Sequence, residues 1–249
     1  MKSTTLFIRI FLFALFLFSF IACTTEDGSF DSGGQAGSRA RFASKGDCLY
    51  VLNDQTLMTF DVSDSSKIVL KDDFALQSGM ETIFPTDSIL FLGSINGMFL
   101  MDVQDPFHPE YLSSYQHVTS CDPVVVSGKY AYVTLRTDPN NWQCSRSVNE
   151  LHVIDLRDVQ KPMQVARYSM ENPKGLAYQN KKIFVCDGLD LVVMDASDPV
   201  DLIELDRFKM DGEPYDVIAT EGSLIVSYAM GVQQYVFEGD SLRSISNVW

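Results

Sequence analysis

The stretch Leu191–Pro199, which reads LVVMDASDP, decides the fold because the chain repeats it. Variants of the same phrase are LMTFDVSD at 57–64, MFLMDVQDP at 98–106 and LHVIDLRD at 151–158. A worn fifth copy, VQQYVF at 232–237, has Val236 where the others have aspartate. Equivalent positions lie about forty residues apart, except for one longer interval between Asp102 and Asp155. Short strands that recur at this period predict a propeller or a solenoid.

Each repeat shows four short strand signals separated by turn residues. In the fourth repeat these signals are Gly175–Tyr178, Ile183–Cys186, Leu189–Ala196 and Leu202–Lys209. The third strands are nearly continuous apolar runs, which is typical of strands buried on both faces. The fourth strands carry frequent charge, as exposed edge strands do. The sequence therefore predicts an all-β fold, a five-bladed β-propeller over residues 41–249. Each blade has four antiparallel strands, with the first strand nearest the axis.

The repeated phrase, with a second proline as in Asp105–Pro109, resembles the LVIVD repeat. Four of the five repeats fit, over roughly residues 41–210, and the fifth is degenerate. The resemblance implies an exported bacterial or archaeal protein with a propeller fold. It implies no particular activity, because proteins with this repeat share none.

Residues 1–22 have the features of an export signal. Lys2 and Arg9 precede an apolar run at 10–22, which is too short to span a bilayer. The run ends in Phe20 to Cys23, FIAC, which resembles a bacterial lipobox with phenylalanine in its first position. That resemblance implies cleavage before Cys23, with lipid on its sulfur and acyl groups such as palmitate on its amine, a stable membrane anchor. The alternative is an ordinary signal peptide followed by an incidental cysteine.

Residues 23–40 are rich in threonine, serine, glycine and acid, which is typical of a flexible tether. Glu26 and Asp27 resemble the acidic signals that send Bacteroidetes lipoproteins to the cell surface. The formal net charge is −14, and loss of the two cations in residues 1–22 makes it about −16. Nucleic acid and anionic membranes repel such a body. We therefore expect a bacterial envelope protein, held by its lipid at the outer membrane or cell surface rather than the inner membrane, with no nucleic-acid partner.

The repeated aspartates Asp61, Asp102, Asp155 and Asp195 suggest a ring of carboxylates that could bind calcium. A structural role is the stronger interpretation, because each ends a strand and is followed three residues later by another aspartate. Short acidic side chains at such places accept backbone N–H bonds and set the turn. A calcium site would gather several oxygen ligands on one ion, whereas blades hold equivalent positions apart.

The longer interval contains an insertion at Thr137–Val148 between the second and third strands of blade three. It holds Asn140, Asn141, Trp142 and Arg146, and tryptophan and arginine are enriched in binding hot spots. An insertion confined to one repeat often marks the binding face. The alternative is a tolerated surface insertion.

Two cysteines belong to the same end of blade three. Cys121 precedes its first strand, and Cys144 lies in the insertion. An oxidising compartment would permit a Cys121–Cys144 disulfide, whereas an anaerobic one would leave both thiols free. Cys48 and Cys186 fall in second strands and are expected to be small buried residues.

No pattern in the sequence indicates catalysis, a metal or a cofactor. The three histidines, His108, His117 and His152, have no metal-ligand spacing. We expect a binding or scaffold protein whose partner is another envelope protein or a surface glycan. One alternative is a glycan-binding or glycan-processing propeller enzyme, which would need two carboxylates at the central mouth that break the repeat. The other is a purely structural envelope protein, which would show a large exposed apolar patch.

Overall fold

The computed structural model describes residues 38–116, 123–137, 148–239 and 241–248. These residues form twenty strands in five antiparallel sheets of four, arranged as a propeller, and no helices. In this part of the chain, no helix is long and apolar enough to cross a membrane. The five-bladed all-β fold predicted from the repeat is thus confirmed.

Each blade uses four consecutive strands in chain order, so its first strand is innermost and its fourth outermost, as predicted. The strands of blades 1 and 2 are β1 (Phe42–Lys45), β2 (Cys48–Asn53), β3 (Thr56–Asp64), β4 (Lys67–Ala75), β5 (Met80–Pro85), β6 (Ile89–Ser94), β7 (Gly97–Asp102) and β8 (Glu110–Gln116). Those of blades 3 and 4 are β9 (Val124–Ser127), β10 (Tyr130–Leu135), β11 (Glu150–Asp155), β12 (Met163–Ser169), β13 (Pro173–Gln179), β14 (Lys182–Asp187), β15 (Asp190–Asp195) and β16 (Ile203–Lys209). Blade 5 consists of β17 (Asp216–Thr220), β18 (Ser223–Tyr228), β19 (Gly231–Glu238) and β20 (Ser241–Val248).

Local sequence explains where the strands turn and bend. Asn180 and Lys181 link β13 to β14 with φ of 50° and 59°, the left-handed backbone that a two-residue hairpin of matching twist requires. Between the third and fourth strands of every blade the pairing register shifts at the same place, as at Val193/Met194 in blade 4. One extra residue there bends the outermost strand and increases its twist.

The repeated aspartates form the turn between the third and fourth strands. In blades 1 to 4 two successive aspartates each accept, at 2.7 to 3.1 Å, a hydrogen bond from the backbone N–H two residues later. Each of these bonds gives a partner to a turn amide that would otherwise lack one, and it holds the ends of the two strands in register. The pairs are Asp61 and Ser63, Asp64 and Ser66, Asp102 and Gln104, Asp105 and Phe107, Asp155 and Arg157, Asp158 and Gln160, Asp195 and Ser197, and Asp198 and Val200.

Four clusters of buried apolar residues join neighbouring blades: 1 with 2, 2 with 3, 3 with 4, and 4 with 5. In each pair the innermost strands lie side by side. Blade 4 illustrates the pattern, because one of its faces packs on blade 3 through residues such as Leu176 and Val185. Its other face packs on blade 5 through residues such as Phe184 and Val193. Strands buried on both faces explain the continuous apolar runs in the sequence.

The junction between blades 5 and 1, hereafter the 5/1 seam, differs from the other four in its packing. None of the clusters of buried described residues joins these two blades, and β17 does not lie along β1 as the other innermost strands do. The blade 1 face of the seam carries Phe42, Leu49, Val51, Met58 and Phe60, none of which is buried. The blade 5 face carries Ile218, Ile225, Ser227, Val232 and Gln234, and none of these is buried either.

Candidate functional site at the central mouth

The segment Ser38–Arg41, hereafter the leading segment, crosses the mouth of the propeller before β1 begins. Ser38 is buried; its hydroxyl accepts a hydrogen bond from the Leu176 amide at 2.8 Å and donates one to Asp216 Oδ1 at 2.8 Å. Two residues later, the Ala40 carbonyl accepts a bond from the Ile83 amide at 2.9 Å. The leading segment therefore ties blades 4 and 5 to blades 1 and 2 across the central channel.

Asp216 is the acceptor on which this connection depends. Besides Ser38, its carboxylate accepts bonds from the backbone amides of Arg39 at 3.2 Å and Val217 at 3.0 Å. Burial raises the pKa of Asp216, and the hydrogen bonds from these groups oppose the rise. Gly175 leaves room for the Asp216 carboxylate, because a Cβ at residue 175 would lie 1.9 Å from Asp216 Oδ1. Only glycine at 175 lets the carboxylate sit against β13.

Arg39 presents a cation at the same mouth. Arg39 is exposed on the surface, yet the neighbouring protein removes part of its water, and this loss of solvation lowers its pKa. The nearby Arg136 guanidinium lowers it further, whereas the carboxylates of Asp216 and Glu81 raise it. Among the described residues, the Arg39 guanidinium has no hydrogen-bonding or ion-pair partner. Two guanidinium groups close enough to affect each other create a site where a bound anion would relieve their repulsion.

Lys174, by contrast, is fully engaged. Its side chain is buried at the start of β13, with Nζ 2.6 Å from Glu213 Oε1 and 4.4 Å from the centre of the Tyr215 ring. The ion pair and the cation–π contact hold the connection between blades 4 and 5 against the mouth. Lys174 therefore shapes one wall of the site rather than offering a free charge.

The insertion of blade 3 is anchored beside this mouth. The Thr137 amide donates to Asn149 Oδ1 at 2.8 Å, and the Val148 amide donates to the Thr137 hydroxyl at 2.9 Å. Asn149 in turn donates to the Glu171 carbonyl at 2.6 Å, in the connection between blades 3 and 4. The base of the insertion thus lies on the face that the repeat pattern assigned to binding.

Several predicted residues fall outside the part of the chain that the structure describes. They are the binding-loop candidates Asn140, Asn141, Trp142 and Arg146, the candidate disulfide pair Cys121 and Cys144, and the lipidation candidate Cys23. Cys48 and Cys186 are free, buried thiols, and burial raises the pKa of both. His152 is buried in β11 and bonded to Glu150 at 2.7 Å.

Asp61, Asp102, Asp155 and Asp195 lie at the opposite end of the blades from the mouth, because each ends a third strand that begins on the mouth side. Their side chains bind the turn amides, and the described residues contain no group of three or more acidic, histidine or cysteine side chains that could hold a metal ion. Hydrogen bonds from Ser63 lower the pKa of Asp61 to about 2. At neutral pH the Asp61 carboxylate is therefore an ionised acceptor.

Sequence reasoning missed Arg39 and Asp216. The strand register places Asp216 at the position that Arg41, Thr82, Pro123 and Gly175 occupy in the other blades. A carboxylate that departs from the repeat at an innermost strand was the available signal. The signal is weak because the fifth repeat is degenerate, so the phrase in its third strand does not align its first strand with those of the other blades.

The LVIVD repeat model matches residues 36–75 and 120–138, which include blade 1 and the start of blade 3. Over these two stretches the chain is similar to the LVIVD repeat. This confirms the resemblance drawn from the repeated phrase, and the match covers about a quarter of the chain. No curated protein sequence matches the chain.

Solved structures share the fold of these LVIVD repeats at low sequence identity. A functionally unknown protein from Desulfotomaculum acetoxidans is 12% identical, with a TM-score of 0.69 over 83% of this chain and 68% of that one. A putative 6-phosphogluconolactonase from Bacteroides uniformis is 12% identical, with a TM-score of 0.65 over 83% and 69%. A periplasmic gluconolactonase from Pseudomonas aeruginosa is 12% identical, with a TM-score of 0.64 over 82% and 67%. Likeness at this identity extends to the fold alone.

Proposed function

We propose that this protein is a lipid-anchored binding protein of the bacterial envelope, whose central mouth binds an anionic group on its partner. The observation that carries the proposal is the solvent-exposed guanidinium of Arg39, which has no partner among the described residues and lies near the Arg136 guanidinium. Arginine recognises carboxylate and phosphate in a bidentate manner, which adds geometric specificity to the attraction between opposite charges. The partner is a surface glycan that carries acid groups or another envelope protein.

The proposed location rests on the export signal predicted at residues 1–22 and on Cys23, which follows it. Lipid on Cys23 would hold the acidic propeller at the outer membrane or cell surface without requiring attraction between the protein and anionic lipids. Replacing Cys23 with alanine should move the protein from the membrane fraction to the soluble fraction. Retention in the membrane fraction would contradict the anchor while leaving the binding proposal open to its own test.

The binding proposal is tested by capture from envelope extracts with wild type, Arg39→Gln and Arg243→Gln as bait. Arg243 is an exposed arginine on β20, away from the mouth, and serves as the matched control for loss of one positive charge. We expect Arg39→Gln to lose a defined glycan or protein that wild type and Arg243→Gln both retain. Addition of glucuronate should release that partner, and glucose at the same concentration should not. Equal capture by all three baits contradicts the mouth as the site.

A sugar-lactone hydrolase is the second candidate. It is favoured by Glu81 and Asp216, two acidic residues at the mouth that break the repeat, and by the lactonase names of proteins with this fold. Against it, Asp216 already accepts three hydrogen bonds that hold the chain together. Hydrolysis of gluconolactone by the purified protein, lost in Glu81→Gln, would replace the binding proposal with this one.

A further inference from the structure

A cavity of about 450 Å³, hereafter the blade 1/2 cavity, opens on the face of the propeller opposite the mouth. Blade 1 contributes the turn between β1 and β2 and the end of β3, and blade 2 contributes the turn that follows β7. The volume is within the range of small-molecule sites. The lining residues on which the argument depends are Lys45, Asp47, Cys48, Asp61, Pro106 and Phe107.

Blade 1 departs from the repeat at two of these residues. The strand register places Cys48 where the next three blades have larger side chains, Ile89, Tyr130 and Lys182. At the position of Lys45, every other blade has an uncharged residue: Thr86, Ser127, Gln179 and Thr220. One departure makes room and the other adds a charge at the same place. Departures from a repeat that converge on one cavity point to a ligand rather than to the fold.

Lys45 is held with part of its bonding capacity unused. Its ammonium group donates to the backbone carbonyls of Asp87 and Val103 in blade 2, the second at 3.3 Å. Among the described residues no carboxylate forms an ion pair with it. An ammonium group has three N–H donors, so one remains for a ligand, and the two carbonyls fix its position.

Asp61 supplies the opposite charge in the same cavity. Its Oδ1 accepts bonds from the Ser63 amide at 3.0 Å and hydroxyl at 2.6 Å, and its Oδ2 lies 3.1 Å from Lys71 Nζ. A carboxylate has about four acceptor sites, so one remains. The Cys48 thiol lies near both charges: burial is the main cause of its raised pKa, Asp61 adds to the rise, and Lys45 opposes it.

The blade 2 wall is apolar. Pro106 and the Phe107 ring are half-buried there, and Lys71 Nζ lies 5.3 Å from the centre of that ring. A simple anion could bind Lys45 but would lie beside the Asp61 carboxylate, and a simple cation would meet Lys45 in the same way. A ligand that carries both charges and an apolar body complements all three features.

We propose that the blade 1/2 cavity binds a free α-amino acid with an apolar side chain, its carboxylate on Lys45, its ammonium group on Asp61 and its side chain against Phe107. The exposed carboxylate of Asp47, at the rim of the cavity, adds to the attraction for the ammonium group. This site is independent of the anion proposed at the mouth, because it lies on the opposite face and shares no residue with it.

Equilibrium binding of L-phenylalanine to the full-length protein, measured by calorimetry, tests this proposal. Three comparison compounds each lack one feature: phenylpropionate has no ammonium group, phenylethylamine has no carboxylate, and glycine has no apolar side chain. We expect each of them to bind at least about tenfold more weakly than L-phenylalanine, since one charge-assisted bond or the apolar contact is lost.

Two lysine variants locate the site. Lys45→Gln should weaken the binding of L-phenylalanine about tenfold. Lys129→Gln should leave it unchanged, because Lys129 is an exposed lysine on the equivalent turn of blade 3. Cys48→Tyr introduces the blade 3 residue and should abolish binding by filling the cavity. If Cys48→Tyr lowers the Tm so far that it does not fold, the two lysine variants decide the outcome.

Three results would overturn the proposal. The first is that wild type does not bind L-phenylalanine. The second is that both lysine variants bind it equally well, which would place the ligand elsewhere. The third is that phenylpropionate or phenylethylamine binds as tightly as L-phenylalanine, which would make the cavity a site for a simple anion or a simple cation.

Discussion

Equivalent residues are buried at the junction between blades 3 and 4 but are not buried at the 5/1 seam. On blade 4, Leu176, Ile183, Val185 and Val192 are all 0% exposed against blade 3. On blade 1 the equivalent residues are Phe42, Leu49, Val51 and Met58, which are just as apolar, yet none is buried. The difference therefore arises from the neighbouring blade, and not from the residues of blade 1 themselves.

Blade 5 is the neighbour that fails to match. In blade 4 the face toward the next blade contains Phe184, Cys186 and Val193, and blade 5 has Ile225, Ser227 and Gln234 at those positions. Serine and glutamine make its outward face more polar, as the terminal repeats of repeat proteins commonly are. The blade 5 face of the 5/1 seam is thus more polar than the corresponding face of blade 4, and the hydrogen bonds of the leading segment connect the blades here.

We expect the largest loss of stability from a change at Gly175, where the sealed junction between blades 4 and 5 meets the leading segment. In Gly175→Ala the new Cβ would lie 1.9 Å from Asp216 Oδ1 and 2.6 Å from Asp216 Cα, so β13 and β17 must move apart. We expect a loss of about 2–3 kcal/mol in the free energy of unfolding, measured with urea. Gly212→Ala is the control, because its Cβ would meet nothing closer than 3.6 Å. Equal stability of the two variants would show that Asp216 does not press on Gly175.

A smaller effect is expected from the titration of Asp216. Because the folded-state pKa of Asp216 is raised above its usual value of 3.8, the folded protein holds this proton more tightly than the unfolded chain. The contribution of Asp216 to stability is therefore complete below pH 3.8 and is lost as the pH rises through the folded-state pKa. In Asp216→Asn this dependence disappears.

Thermal unfolding between pH 7 and pH 4 measures this contribution. The Tm of wild type minus that of Asp216→Asn should increase as the pH falls, whereas Asp201→Asn, at an exposed aspartate, should run parallel to wild type. A Tm difference for Asp216→Asn that decreases toward pH 4 would mean that the carboxylate is stabilised as an anion.

The fold could be predicted from the sequence because each repeat carries the same pattern of four strands. The phrase ending in Asp195 fixed the third strand, and in blade 4 the observed strands lie within two residues of the predicted ones. Blade 1 carries apolar residues at the equivalent positions. Burial of its outer face could not be inferred, since Val51 and Val185 are the same residue type and differ only in what faces them.

The mouth was less predictable because its chemistry depends on contacts between residues far apart in the chain. Ser38 and Asp216 are separated by 178 positions, and neither belongs to a recognisable motif. The position of Arg39 beside Arg136 likewise follows from how the ring brings blades 1 and 3 to one axis. Only the first strands carry the signal, since Asp216 is the one acidic residue at its position among the five blades.

The central claim is that the 5/1 seam lacks the packing that seals the other junctions, and the Val185→Ala and Val51→Ala pair tests it most directly. Both remove the same atoms from equivalent positions in β14 and β2. Val185→Ala should lower the free energy of unfolding by about 2 kcal/mol, because it leaves a cavity in a closed core. Val51→Ala should lower it by at most about half as much. Equal losses in the two variants, measured by urea unfolding of the full chain, would contradict the claim and show that the ring is sealed throughout.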